Sequence, residues 1–279
     1  MSAVPELVSL DDYLRRPSEV AGELSRMFDR DAPIVIFDVG ACEGEESIRY
    51  ARQFPRARIF SFEPLPANQR LVRENFSRYG TSTAELVPLA LSDRAGQATF
   101  HVSSGRPPKL FAGEAWNYGN KSSSLLPPAE TKPMFGWIEF KESVPVPCDT
   151  LDHFCAQRAI ERIDFMQLDV QGAEALVLAG ATAMLPRVQS IWMEVANREQ
   201  YRGQKLRTEV ESFLRRRGFV LTFEANRGDE SDQFYVNRDT PSGRRRLAWF
   251  AFEQAGRRLR RFAGVLKRRI RGATAQPAP

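Results

Sequence analysis

Four carboxylates stand at or near the ends of short apolar runs, and two of them flank a pair of glycines. Asp38 precedes the stretch Val39-Gly40-Ala41-Cys42-Glu43-Gly44, Glu63 closes the next run, Asp169 follows residues 163–168, and Glu194 lies near the end of 188–195. Glycine has no Cβ and accepts positive φ, so Gly40 and Gly44 allow a tight turn that brings backbone close to a ligand. Their GxxxG spacing is not the GxGxxG that lays a pyrophosphate on a helix N-terminus. An acid just before the loop, Asp38, suits a cationic ligand instead. Glu63 comes 25 residues after Asp38, near the spacing of about 20 at which a carboxylate takes both hydroxyls of a ribose. The Ser92–Asp93 turn offers polar atoms for an adenine edge. Asp169 leaves a buried run at its carboxyl end, the edge at which open α/β sheets bind ligands.

If a hydroxyl is to react, a base must take its proton. Asp169 is the first choice and Glu194 the second. Glu174 falls in the first turn of a helix, where the dipole favours an anion, and stabilisation of that helix end accounts for it equally well. His101 alternates with apolar residues on a strand and His153 sits on an ordinary amphipathic turn, so neither is assigned a role. A divalent ion held by Asp169 and Glu194 would lack a third ligand, and no metal is assigned. Cys42, Cys148 and Cys155 show no CxxC spacing. They give neither a disulfide framework nor a zinc site, and a reducing compartment fits.

The elements that must carry these residues read as α/β. Residues 1–30 form an N-terminal helical segment, with Leu7, Leu10, Leu14, Leu24 and Phe28 among the apolar positions spaced by three and four. The runs 34–39, 59–62, 85–87, 163–168 and 188–195 are apolar on both faces, as strands buried between helix layers are. Runs 218–224 and 233–237 are separated by only eight residues, too few for a parallel crossover, which predicts an antiparallel hairpin. The expected body is one domain over 31–238, with helices on both faces of a seven-stranded, mostly parallel sheet. It is interrupted by a Gly-, Pro- and Ser-rich insertion loop at 103–147 that carries Trp116, Tyr118, Phe135 and Trp137 and is read as facing the substrate.

The chain of 279 residues, 42% of them apolar, is long enough for a sizeable core. Its net charge of +5 is unevenly placed: residues 244–271 hold 11 Lys or Arg against the single acid Glu253, while the remainder has 29 basic and 34 acidic residues. The tail, 239–279, is basic and amphipathic, with Phe252, Ala255, Leu259, Phe262, Leu266 and Ile270 along one stripe. An anionic membrane surface is the partner this pattern fits best. A helix docked on the acidic body, a homo-oligomer contact and a nucleic-acid arm are the other readings. No apolar run is long enough to span a bilayer and the start lacks the marks of a signal peptide, so the expected location is cytoplasmic, with peripheral attachment at the inner membrane surface through the tail.

Between residues 34 and 237 the sequence resembles the FkbM-type methyltransferases, through FDVGACEGEES, FSFEPLP, PLALSD, KSSSL, VPCDTLDHF, IDFMQLDVQGAEALVLAGA and IWMEV in family order. The resemblance implies the class I, Rossmann-like methyltransferase fold and S-adenosyl-L-methionine as cofactor, its aminoacyl portion suited to Asp38. It implies cofactor contacts by Asp38, Gly40, Glu63 and the Ser92–Asp93 turn, with the loop residues Cys42 and Gly44 beside them, and a catalytic face at Asp169. It implies O-methylation of a small-molecule acceptor, either a sugar or glycan hydroxyl or a polyketide-type natural product. Cys42 stands where the family usually has Asn, and Gln171 where it usually has an acid. The missing GxGxxG and the terminal hairpin argue against a dinucleotide-dependent dehydrogenase. A nucleic-acid methyltransferase gains only from the tail, since the body is acidic and carries no Asn-Pro-Pro-Tyr motif. A non-enzymatic cofactor-binding scaffold would make Asp169 dispensable.

Overall fold

The strand β1 (Val35–Val39) is buried from Ile36 onward and β7 (Ile163–Leu168) along its whole length, and this two-sided burial places them at the centre of the sheet. The structure is a computed structural model and describes residues 9–107, 116–129 and 136–255. Before β1 come α1 (Leu10–Arg15) and α2 (Ala21–Met27); after it come α3 (Glu45–Gln53), β2 (Arg58–Phe62), α4 (Pro66–Arg78), β3 (Ala84–Val87), β4 (Ala90–Leu91), β5 (Gly96–Ser104), β6 (Glu139–Asp149) and α5 (Leu151–Gln157). The second half adds α6 (Glu174–Ala179), β8 (Val188–Ala196), α7 (Arg207–Arg216), β9 (Phe219–Asn226) and β10 (Glu230–Asn237). A further helix, α8, is described over 241–255.

Seven strands form one sheet in the order β3-β2-β1-β7-β8-β10-β9. All pairs are parallel except those of β10, which runs antiparallel to both β8 and β9. The expected seven-stranded sheet with its terminal hairpin is therefore present. Alternate residues feed two apolar layers. Phe37, Phe60, Leu168 and Ile191 pack with Leu151, Phe154, Val177, Leu178 and Leu214 on one face, while Ile36, Ile59, Phe165 and Phe234 pack with Val20, Leu24, Tyr50 and Phe54 on the other. That alternation fixes register, because a one-residue slip would turn both layers inside out.

Two features differ from the sequence reading. The span 103–147 ends in ordered structure: β6 pairs along β5 from Gly96↔Cys148 to Ser104↔Glu139 and joins β4 to form a second, three-stranded sheet. Pro145 and Pro147 obscure this strand in the sequence, and they are tolerated because β6 has β4 beside it only at Cys148 and Asp149. The hairpin is also longer than its apolar runs, since Asn226 and Glu230–Asp232 extend the strands with polar residues and leave only 227–229 as the turn. The stripe of the tail beyond residue 255, including Leu259, Phe262, Leu266 and Ile270, lies outside the described residues, as do Phe111 and Phe135. Among the described residues no helix is long and apolar enough to cross a membrane.

Candidate active site

Strand register builds the site. Val39 is the partner of Phe62 on one side and of Leu168 on the other, and Leu168 is the partner of Met193. The next residue of each strand is Glu63, Gly40, Asp169 and Glu194, so the four stand in a row along the carboxyl edge of the sheet. The Asp169 N–H donates to the Val39 carbonyl at 3.0 Å. Gly40, at φ +92°, is packed so closely that a Cβ there would lie 1.9 Å from the Asp169 carbonyl oxygen. Glycine is required here on both counts.

Glu63 is 4% exposed, and its carboxylate accepts the backbone N–H of Cys42 at 3.1 Å and of Leu65 at 2.8 Å. Burial pushes its carboxyl up to about 8 despite those donors. Asp38 is 1% exposed beneath the loop. Its Oδ2 accepts from the Ser47 hydroxyl at 2.6 Å, while its Oδ1 is buried with no hydrogen-bond partner among the described residues. Desolvation brings its carboxyl up to about 7, partly opposed by the Ser47 hydrogen bond. Gly44, at φ +81°, caps α3 and packs against Phe76.

The segment 116–129 lies over this edge as a strap and is stitched to both ends of the row. At the loop end, Trp116 Nε1 and Asn120 Nδ2 donate to Glu43 at 2.8 and 2.9 Å, and Lys121 Nζ meets Glu45 at 2.5 Å and lies 3.8 Å from Cys42 Sγ. At the other end, Ser124 Oγ donates to the Gln171 carbonyl at 2.7 Å, and the Tyr201 hydroxyl donates to the Ser122 carbonyl at 2.8 Å. These polar partners are 70 or more residues apart in several cases, so no local pattern announces them. The sequence signals for the strap are the aromatic-bearing insertion at 103–147 and the KSSSL stretch within it. Trp116 is engaged by Tyr13, with ring centroids 5.0 Å apart, and by Lys121 over its face.

Asp169 opens into the space under the strap. Gln171 Nε2 donates to Asp169 Oδ1 at 2.7 Å, and the Tyr201 hydroxyl lies 3.1 Å from Gln171 Oε1. The surrounding protein, aided by the carboxylate of Glu45, raises the Asp169 carboxyl above the usual aspartate value, against the Gln171 hydrogen bond. Glu194 is half-buried beside it. Burial, and then the charges of Asp169 and Glu230, hold its carboxyl well above the usual range. Glu174 is a structural residue, with Oε1 accepting the N–H groups of Val170 and Gly172 at 3.2 Å each.

The row opens on a cleft of about 520 Å³, its open mouth included, whose walls include Gly40, Cys42, Glu63, Asn68, Leu91, Lys121, Asp169 and Gln171. A search against family descriptions matches the Methyltransferase FkbM domain over residues 38–221. The chain belongs to the FkbM methyltransferase family. Its sequence is similar to that of 2-O-methyltransferase NoeI of Sinorhizobium fredii, 29% identical over 83% of this chain and 94% of that one. It is similar also to 31-O-demethyl-FK506 methyltransferase FkbM of Streptomyces tacrolimicus, 26% identical over 68% and 74% of the respective chains. Among solved structures it is similar to a SAM-dependent methyltransferase from Aquifex aeolicus, at 10% identity and a TM-score of 0.40, covering 82% of this chain and 98% of that one.

As an FkbM methyltransferase the protein is an enzyme that uses S-adenosyl-L-methionine. The residues present fit that cofactor. Two buried carboxylates flank the glycine turn, and the orphaned Oδ1 of Asp38 is an acceptor whose donor is not found among the described residues. Gly40, Cys42, Glu63 and Asp169 line the cleft; Asp38 lies under its floor and Gly44 behind the loop. Ser92 and Asp93 are not brought to the wall. The Ser92 N–H is drawn onto the Asp149 carbonyl at 2.8 Å and Asp93 is exposed beside Arg94, so the preceding Ala90 and Leu91 form the wall instead. Asn68, Asn120, Lys121 and Tyr201 are site residues that sequence reasoning did not single out. His101 and His153 contact Ser143 and Asp149 and are absent from the cleft walls. Among the described residues no group of three or more His, Cys, Asp or Glu could hold a metal ion.

Proposed function

We propose that the enzyme methylates a hydroxyl oxygen of a sugar, glycan or natural-product acceptor, with Asp169 as general base. The observation that carries this reading is the state of Asp169. It stands at the strand end in the cleft, one oxygen is held by Gln171, nothing among the described residues donates to the other, and its proton affinity is raised by its surroundings. The cofactor supplies an electrophilic methyl group on a sulfonium, so the protein's work is to position the acceptor and take its proton. With the methyl donor bound, the proton that the acceptor hydroxyl must lose would pass to Asp169 Oδ2 and leave to solvent after turnover. A raised carboxyl is a stronger base than a free aspartate and better matched to that transfer. Glu194, one strand further along the row, is the second candidate base, its own carboxyl held up by burial. Both relatives carry names that place the methyl group on oxygen, which supports the same atom here.

The test is transfer of an isotopically labelled methyl group from S-adenosyl-L-methionine to a panel of glycosides and polyketide-type alcohols, with the product mapped by NMR. An O-methyl product made by the wild type and lost in Asp169→Asn is expected. Transfer to nitrogen, or full activity without the Asp169 carboxylate, would overturn the reading.

A further inference from the structure

Outside the active site, the large apolar side chains exposed among the described residues are Trp249 at 54% and Phe252 at 70%, and both lie on α8. Three residues apart on one helix, they share a face, with ring centroids 5.8 Å apart. The start of α8 is fixed to the body. Thr240 Oγ1 accepts the Gly243 N–H at 3.2 Å as a helix cap, with Pro241 at the first helical position. Arg246, 3% exposed, pairs with Glu23 of α2 at 2.6 Å, and Leu247 packs on the layer that contains Val20 and Leu24. The aromatic pair is thus held out from the surface by an anchored helix.

The charges sharpen the picture. Glu253, the single acid of 244–271, has Arg26 and Arg246 each 3.8 Å away and accepts from Trp249 Nε1 at 3.0 Å. Its charge is compensated locally. The chain then continues with Arg257, Arg258, Arg260, Arg261, Lys267, Arg268, Arg269 and Arg271, and with Ala255, Leu259, Phe262, Leu266 and Ile270 following Phe252 at successive spacings of three and four. Exposed apolar anchors on α8 followed in the sequence by a basic run have one well-matched surface.

We infer that the outer face of α8 binds an anionic lipid bilayer, with Trp249 and Phe252 as its apolar anchors and the basic run that follows in the sequence as its attraction to anionic lipid. Large aromatic rings settle at the headgroup boundary, and basic residues beside them are attracted by anionic lipid. Nucleic acid, whose bases stack on exposed aromatic rings, is the competing ligand for this face, and competition with vesicles separates the two. A second copy of the chain would bring two strongly positive segments together, which electrostatic complementarity disfavours.

The experiment is flotation of the full-length protein with vesicles of phosphatidylcholine, with and without added phosphatidylglycerol, at physiological ionic strength. Binding to the anionic vesicles alone is expected. The double variant Trp249→Ala/Phe252→Ala should lower partitioning about tenfold or more, and charge reversal at Arg257, Arg258, Arg260 and Arg261 should abolish it. Unchanged thermal midpoints and cofactor affinity show that both variants are folded. The inference is overturned by failure of the full chain to float, as docking of the tail on the acidic body would produce. It is overturned equally by binding insensitive to the aromatic substitutions, by preferential capture of RNA or DNA in competition with vesicles, or by a concentration-dependent dimer that Trp249→Ala/Phe252→Ala dissolves.

Discussion

Replacing Glu63 by Gln isolates the contribution of one buried carboxylate to cofactor affinity. Its two oxygens accept one backbone N–H each, from Cys42 at 3.1 Å and Leu65 at 2.8 Å. A carboxylate has about four acceptor positions; the Asn68 side chain also bonds to this one, and where that side-chain donor gives way two positions are available to the hydroxyls of a ribose. Hydrogen bonds to a charged group contribute about 1.5–3 kcal/mol each, so the pair is worth about 3–6 kcal/mol. Against this stands the carboxyl raised to about 8 by burial, whose ionisation at pH 7 costs about 1.4 kcal/mol. The net loss on Glu63→Gln is then about 1.5–4.5 kcal/mol, a factor of about 10 to 10³ in Kd. Calorimetry with S-adenosylhomocysteine, repeated across pH, provides the assay. Wild-type affinity should rise as pH rises through about 8, because the bound state favours the ionised carboxylate, and the rise should vanish in the variant. The unliganded protein should show the opposite trend in stability. A carboxyl raised in the fold stabilises it below the ordinary glutamate value, and this contribution is lost as pH climbs through about 8. Equal affinities for wild type and Glu63→Gln, with no pH dependence in either, would refute the ribose assignment.

Three further outcomes are expected. Asp169→Asn should lower kcat by about 10²–10⁴-fold while the thermal midpoint hardly moves, as methyl transfer and calorimetric scans will show. Gln171→Glu replaces the donor to Asp169 Oδ1 by a second negative charge and should push the Asp169 carboxyl further up; the acid limb of the pH–rate profile then shifts to higher pH, and an unshifted limb would separate Asp169 from the rate. Gly40→Ala sets a Cβ 1.9 Å from the Asp169 carbonyl at φ +92°. Strain and overpacking together should destabilise the fold by about 2–5 kcal/mol, read by denaturant unfolding.

What the sequence revealed and what it concealed divide along a physical line. β1 and β7 were visible because burial on both faces leaves an unbroken apolar run, and the row of Glu63, Gly40, Asp169 and Glu194 followed because parallel strands in register end together. β6 was hidden by Pro145, Pro147 and its exposed residues, since its pairing partner lies more than 30 residues away and leaves no periodicity of its own. The contacts of Glu43 with Trp116 and Asn120, and of Lys121 with Glu45, are single polar pairs across long separations. Nothing local encodes them. The Ser92–Asp93 turn shows the limit of motif position, because a hydrogen bond to Asp149 decides which residues of that stretch reach the cleft.

The close approach of Gly40 to the Asp169 carbonyl has an evolutionary and engineering corollary. With no room for a methyl group between them, the glycine turn and the strand end that carries Asp169 are packed as one unit, and a substitution that shifts one shifts the other. Diversification toward new acceptors is thereby channelled into 116–129, whose links to Glu43, Glu45, Gln171 and Tyr201 are exchangeable side-chain hydrogen bonds. Chimaeras that graft this segment from relatives onto an unaltered Gly40–Asp169 pair should change acceptor preference while cofactor affinity stays that of the recipient.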